Sequence, residues 1–283
     1  MKWKRREQSG NVEDRRVMGS GKMIAGGTIG TLAIVLIVWL LGGNPSQLIN
    51  SLQSSGNENS TVDSTVIQAE QELADFASVV LKDTEDIWHT LFSEDGKTYR
   101  EPTLVLFSGS VESTCGYSSA ATGPFYCPGD EKVYIDLTFL EELQQKLGAT
   151  GDFAMAYIIA HEVGHHVQKL LGITDQLQNI RGGVDETEYN QNLVRLELQA
   201  DFLAGVWAHY AQKTKDILEE GDVEEAVNAA GAVGDDRIQM KSQGYVVPDA
   251  FTHGTSEQRK SWFLKGFRTG DLNQGDTFSA DIN

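Results

Sequence analysis

From position 23 to 43 the chain runs 21 residues without a charge (MIAGGTIGTLAIVLIVWLLGG), apolar around the whole circumference of a helix. That length is about what crosses a hydrocarbon core of roughly 30 Å. Residues 44–65 then turn Ser- and Asn-rich with little apolar content, the composition of a flexible linker. Beyond them the pattern becomes periodic. Ile67, Leu73, Phe76, Val80, Ile87 and Leu91 fall at helical spacing and predict one or two amphipathic helices. The short runs TLVLF at 103–107 and KVYIDL at 132–137 predict two partnered strands.

Thr138 with Glu141 has the form of a capping box, opening a helix that Gly148 ends. A helix is expected over 153–171, stopped by Gly172, then a loop or covering flap over 173–187 pivoting at Gly182 and Gly183. A long helix over 188–213 and shorter ones over 222–240 and 256–267 complete the pattern. The fold class is therefore α+β, mainly α with a small β-sheet, as one domain over 66–283.

Charge refines this division. Residues 1–22 hold seven Lys or Arg against three acids, whereas the remainder carries 16 basic and 38 acidic residues. Basic residues on the N-terminal flank of an apolar run predict a cytoplasmic head (1–22), a single transmembrane helix (23–43) and an exported body, periplasmic or extracellular. A cleaved signal peptide is the rival reading, but its apolar region is usually shorter, and no small-x-small site follows Leu41. Gly26 and Gly30 have a close-packing spacing that alone is weak evidence for a dimer. The net charge of −18 argues against nucleic acid as the main partner. The composition excludes a wholly disordered chain, a collagen-like repeat and a disulfide-dense miniprotein. Cys115 and Cys127 are the only cysteines. They are read as a disulfide in an oxidising compartment, worth about 2–3 kcal/mol, because no second pair exists to complete a metal site.

The chemistry concentrates at His161-Glu162-Val163-Gly164-His165. Histidines at i and i+4 share a helical face, so both imidazoles reach one ion, with Glu162 beside them to act on a water. The apolar flanks bury this helix, and buried polar groups need a partner; a metal provides one. A catalytic zinc takes three protein ligands and one open position. The x-x-G-x-x-H extension is missing, since Gln168 and Leu171 stand where its Gly and His would be. The third ligand is sought in Glu197-Leu198-Gln199-Ala200-Asp201, where two acids share a face among apolar neighbours. Glu197 on the metal, with Asp201 accepting the second ring N–H of His161 or His165, satisfies both acids.

This arrangement resembles the gluzincin type of metallopeptidase. The whole chain resembles the bacterial membrane-anchored neutral zinc metallopeptidase family, through KWKRREQSGNVEDRR, the anchor, CGYSSAATGPFYCPGDEKVYID, HEVGHHVQ, ELQADFLAGVWAH and THGTSEQR. The resemblance implies a zincin-like catalytic domain with one Zn2+ per chain. It also implies His161, His165 and Glu197 as ligands, Glu162 as catalytic acid/base and a polypeptide substrate.

A developing oxyanion needs a further donor, for which His253 and Tyr189 are candidates. His166, His209 and His89 are read as structural or surface groups. Arg259 is read as pairing with an acid or capping the last helix. The cluster Glu219, Glu220, Asp222, Glu224 and Glu225 is read as a solvated face at a helix N-terminus. The expected activity is zinc-dependent peptide hydrolysis at a membrane. The alternatives are a catalytically silent zinc protein that holds partners and a hydrolase of non-peptide amides. Retention of Glu162 separates the silent protein from an enzyme, since a structural site needs four ligands and no base.

Overall fold

The computed structural model describes residues 1–16, 64–119, 123–137, 139 and 151–282. The apolar run 23–43, residues 44–63 of the linker and Thr138 of the capping box lie outside the described residues, while Ser64 and Thr65, expected in the linker, open the first helix. Among the described residues no helix is long and apolar enough to cross a membrane. In chain order the elements are β1 (Val12–Asp14), α1 (Ser64–Glu94), β2 (Thr103–Phe107), β3 (Ser110–Ser113), β4 (Gly116–Ser119), β5 (Phe125–Cys127) and β6 (Lys132–Asp136). There follow α2 (Asp152–Leu170), α3 (Ile173–Ile180), α4 (Glu186–Lys215), α5 (Asp222–Ala232), α6 (Asp235–Gln243) and α7 (Ser256–Thr269). The amphipathic pattern after residue 66 is thus one helix of 31 residues.

The sheet order is β1-β2-β6-β5, with β1, β2 and β6 parallel and β5 antiparallel at one edge. Strand β2 is buried along nearly its whole length. A strand buried in this way needs a partner for its backbone groups on both sides. Strand β6 covers one side, and residues 1–16 supply the other, with Val12, Glu13 and Asp14 in register with Leu104, Val105 and Leu106.

The rest of the head packs on the same body. Met1 is buried, and Trp3 lies edge-on to Phe76 with ring centroids 5.4 Å apart. Lys2 donates its amide to the Ile217 carbonyl, Arg6 pairs with buried Asp83 at 2.6 Å, and Ser9 Oγ donates to Glu85. The Met1 ammonium lies 2.5 Å from Asp152 and 3.4 Å from Asp222. Asp222 is therefore a buried partner and not part of a solvated face.

Residues 1–16 are thus part of the same packed body as β2 and α1 rather than a separate head.

Two further expectations are corrected. The segment read as a loop or covering flap over 173–187 contains helix α3, whose Ile173, Leu177 and Ile180 make an apolar stripe along one wall of a cavity. The helix expected over 222–240 is broken into α5 and α6 at Gly234, where a Cβ would lie 2.4 Å from the Ser256 backbone nitrogen.

Glycines set the closest helix contacts. A Cβ on Gly205 of α4 would lie 2.1 Å from the Phe263 carbonyl oxygen, and one on Gly266 of α7 would lie 2.1 Å from that of Phe202. The two backbones touch through this pair. Cys115, in the turn between β3 and β4, is disulfide-bonded to Cys127 at the end of β5, with Cα atoms 5.8 Å apart. The bond ties the two-stranded hairpin to the edge of the main sheet.

The shared sheet predicts that Gln8 and Gln243, both exposed, lie on one side of any membrane. Single-cysteine probes there (Q8C and Q243C), challenged with an impermeant maleimide in sealed cells, should both react or both stay protected. Labelling of one alone would contradict the pairing of β1 with β2.

Candidate metal centre

Helix α2 is apolar on nearly every face and packs against α4, α5, α1 and the sheet. Its own sequence therefore carries His161 and Glu162 inside, at 6% and 8% exposure. Gly164 sits between the two histidines and faces α4 so closely that a Cβ would lie 3.1 Å from the Ala200 carbonyl oxygen. This approach brings Glu197, one turn earlier on α4, opposite both imidazoles.

The His161 and His165 rings stand edge to face with centroids 4.8 Å apart. Nε2 of His161 is 3.2 Å from Glu197 Oε2, and Nε2 of His165 is 3.4 Å from Glu197 Oε1. Candidate ligand atoms of His161, His165 and Glu197 all lie within 4.8 Å of one another.

Each histidine is held from outside by its other nitrogen. His161 Nδ1–H donates to Asp201 Oδ1 at 2.8 Å. His165 Nδ1–H donates to Gln168 Oε1 at 2.9 Å, and Gln168 Nε2 donates in turn to the Leu196 carbonyl and to Gln199. Such outer bonds fix the tautomer that leaves Nε2 free to ligate. Asp201 is fully buried and also accepts from Tyr157 Oη and from Nε of Arg259 at 2.8 Å.

The electrostatics are those of a site short of positive charge. Burial disfavours an imidazolium, yet Asp201 and Glu197 outweigh it and raise His161 to about 10. His165 rises for the same reason, with Glu197 outweighing its burial. Burial also works against the Glu197 carboxylate, but the two imidazoles hold it well below the usual range. Arg259 and His161 likewise hold Asp201 low against its desolvation. Among these groups Arg259 is the one fixed cation, bonded to Asp201 and acting through space on Glu197.

The triad lies on a pocket of about 500 Å³. Glu162 and His253 share its wall with apolar Phe125, Ile158, Val233 and Ile238. His253 is half exposed, its Nδ1 3.2 Å from Asp235 Oδ1. Asp235 Oδ2 accepts the backbone N–H groups of Thr252, His253 and Gly254, which fixes the turn. The bond to Asp235 raises the His253 pKa, against a smaller effect of burial. A larger apolar cavity of about 690 Å³ between α1, α3 and α4 is lined by Trp88, Leu177 and Phe202 and does not include the triad.

Tyr189 lies in the first turns of α4 beneath Arg181, away from the pocket wall. His166 is buried and not a surface group. It accepts from Tyr126 Oη and donates to the Arg100 carbonyl, tying α2 to β5. Its pKa is lowered by burial. His209 bonds the Phe267 carbonyl, and His89 bonds Glu101 at the surface. The sequence reading missed Gln168, Tyr157 and Asp235, and it named Arg259 without its partner. The signals were a glutamine and an arginine embedded in otherwise apolar helical faces.

A family described as "Putative neutral zinc metallopeptidase" matches residues 1–278 of the chain. The chain belongs to this family. It is 47% identical to the uncharacterized protein YpfJ of Escherichia coli over the full length of both chains. It is 45% identical to an uncharacterized protein of Mycobacterium bovis over 64% of each chain. An uncharacterized protein of Mycobacterium tuberculosis matches at the same identity and coverage. No solved structure matches.

Zinc is the metal that the family's description states, and the donor set fits it. Two imidazole nitrogens and one carboxylate converge, both histidine tautomers are fixed for ligation, and the pocket leaves one side open. Three protein ligands with an open position is the arrangement of a catalytic zinc site.

The His253–Asp235 contact is testable by histidine NMR. Because Asp235 stabilises the charged ring, D235N should move the His253 titration to lower pH. An unchanged midpoint would show that Asp235 does not set it.

Proposed function

We propose that the protein is a zinc-dependent peptidase that hydrolyses peptide bonds of polypeptide substrates, with Glu162 as the proton-transferring group. The observation that carries this reading is the convergence of His161, His165 and Glu197 on a pocket whose wall holds Glu162. The three ligands would hold the ion; when bound, it supplies Lewis acidity to a water and to the scissile carbonyl.

Glu162 takes a proton from the attacking water as the new C–O bond forms. The apolar walls at Phe125, Ile158, Val233 and Ile238 hold the chain of the substrate and exclude bulk water. His253, on the pocket wall and anchored by Asp235, is placed to donate a hydrogen bond to the carbonyl oxygen as negative charge develops there. Glu162 then delivers its proton to the departing amine, the C–N bond breaks, and both residues return to their starting states.

The disulfide supports action outside the reducing cytosol. With residues 1–16 in the same body, they share that compartment. Attachment to a membrane through the apolar run 23–43 belongs to the same proposal.

The test is E162Q beside wild type, assayed for zinc content and for cleavage of an unfolded protein such as casein. The variant should keep one zinc per chain and lose on the order of 10²–10⁴-fold in rate. Undiminished cleavage would remove Glu162 from its role, and a wild type without zinc would overturn the reading.

A further inference from the structure

We infer that Arg259 is a positioning residue of the metal centre, clamping Asp201 by both oxygens and thereby aiming Nε2 of His161 at the ligand focus. The inference rests on the zinc reading above and assigns a residue to it.

Arg259 reaches the site from α7, a helix that contributes no ligand. It is 3% exposed. Its Nε donates to Asp201 Oδ2 at 2.8 Å and its Nη2 to Oδ1 at 3.0 Å, a two-pronged grip. Oδ1 also accepts from Tyr157 Oη and His161 Nδ1. Among these four bonds the one to Oδ2 comes from Arg259 alone.

Remove the guanidinium and a fully buried carboxylate keeps its charge without a cation and loses the donor that fixes its plane. Leaving one member of a buried ion pair without the other is strongly unfavourable. The carboxylate is then held through Oδ1 alone, by Tyr157, and can turn about that bond, so its hold on the imidazole loosens. A second contact restrains the ring itself. Arg259 Nη2 lies 3.5 Å from both His161 ring nitrogens, against the ring itself, while Asp201 holds Nδ1. Tyr157 Oη, 3.3 Å from Nη2, closes the set.

The backbone is built for this reach. The contact of Gly205 with α7 and of Gly266 with α4 brings the helices together just beyond Asp201 and Arg259. Nη1 is seated on the Val233 carbonyl at 3.4 Å. A lysine cannot reproduce the grip, because its ammonium is a single point on a flexible stem.

The experiment measures zinc affinity by chelator competition, together with the visible spectrum of the cobalt(II)-substituted full chain. The proteins are wild type, R259K, R259M, D201N and the double variant D201N/R259M. R259M should bind zinc about 10–100-fold more weakly, as loss of an outer partner of a ligand histidine does. Its cobalt spectrum should change, and R259K should recover only part of both. In the double variant the losses should not add, since both substitutions break one linkage.

A folded R259M with wild-type affinity and an unaltered cobalt spectrum overturns the inference, because a merely structural arginine would change thermal stability alone. If R259M does not fold, wild-type values in R259K overturn it. Additive losses in the double variant also count against it. A wild type that binds neither zinc nor cobalt overturns the underlying reading and the inference with it; normal wild-type binding with unaffected variants overturns the inference alone.

Discussion

Everything at the centre of this molecule follows from placing ionisable groups on the buried faces of helices. Asp201 is fully buried and carries charge, so it needs donors on both oxygens, and four side-chain bonds supply them. Those donors come from α2 and α7, while Asp201 itself is on α4. One carboxylate thus joins the three helices that build the site. Its cost when unpaired is several kcal/mol by the usual scale of buried charges, enough to make the three-helix arrangement a single choice. Glu197, one turn away on the same face, faces the two imidazoles, and the three donors converge closely enough that they could hold one ion.

Close packing makes these bonds possible. Gly164 lets α2 lie against Ala200 of α4, and Gly205 and Gly266 let α4 lie against α7. A side chain at any of them would separate helices whose polar groups meet across short distances. On the other side of α2, His166 bonds both Tyr126 and the Arg100 carbonyl, so the helix that carries His161 and His165 is also registered to the sheet edge. The disulfide fixes that edge to the hairpin β3–β4. The pocket is consequently bounded by elements tied to the same helix that carries His161, Glu162 and His165.

Much of this was legible in the chain, for specific reasons. Spacings of four residues place His161 with His165 and Glu197 with Asp201 whatever the tertiary fold, because helical geometry alone sets them. The apolar run TLVLF announced a buried strand. What it could not announce was its second neighbour. Val12–Asp14 is three residues long and two-thirds acidic, with no strand periodicity to read, and only the unmet backbone groups of β2 call for it. The helix over Ile173–Ile180 was hidden by adjacent glycines and a short length, although its apolar spacing was present. Arg259 lies 58 residues beyond its partner Asp201, and pairing at that distance depends on helix packing. The break at Gly234 likewise depends on a neighbour, Ser256, far along the chain.

The most direct test of the central claim is X-ray absorption at the zinc edge on the purified full chain. The account predicts one zinc per chain with a nitrogen and oxygen shell at about 2.0–2.1 Å and outer-shell scattering from two imidazoles. Replacing Glu197 with alanine should remove one oxygen neighbour or the metal itself. A sulfur shell, a site without imidazole scattering, or full unaltered zinc in the Glu197 variant would contradict it.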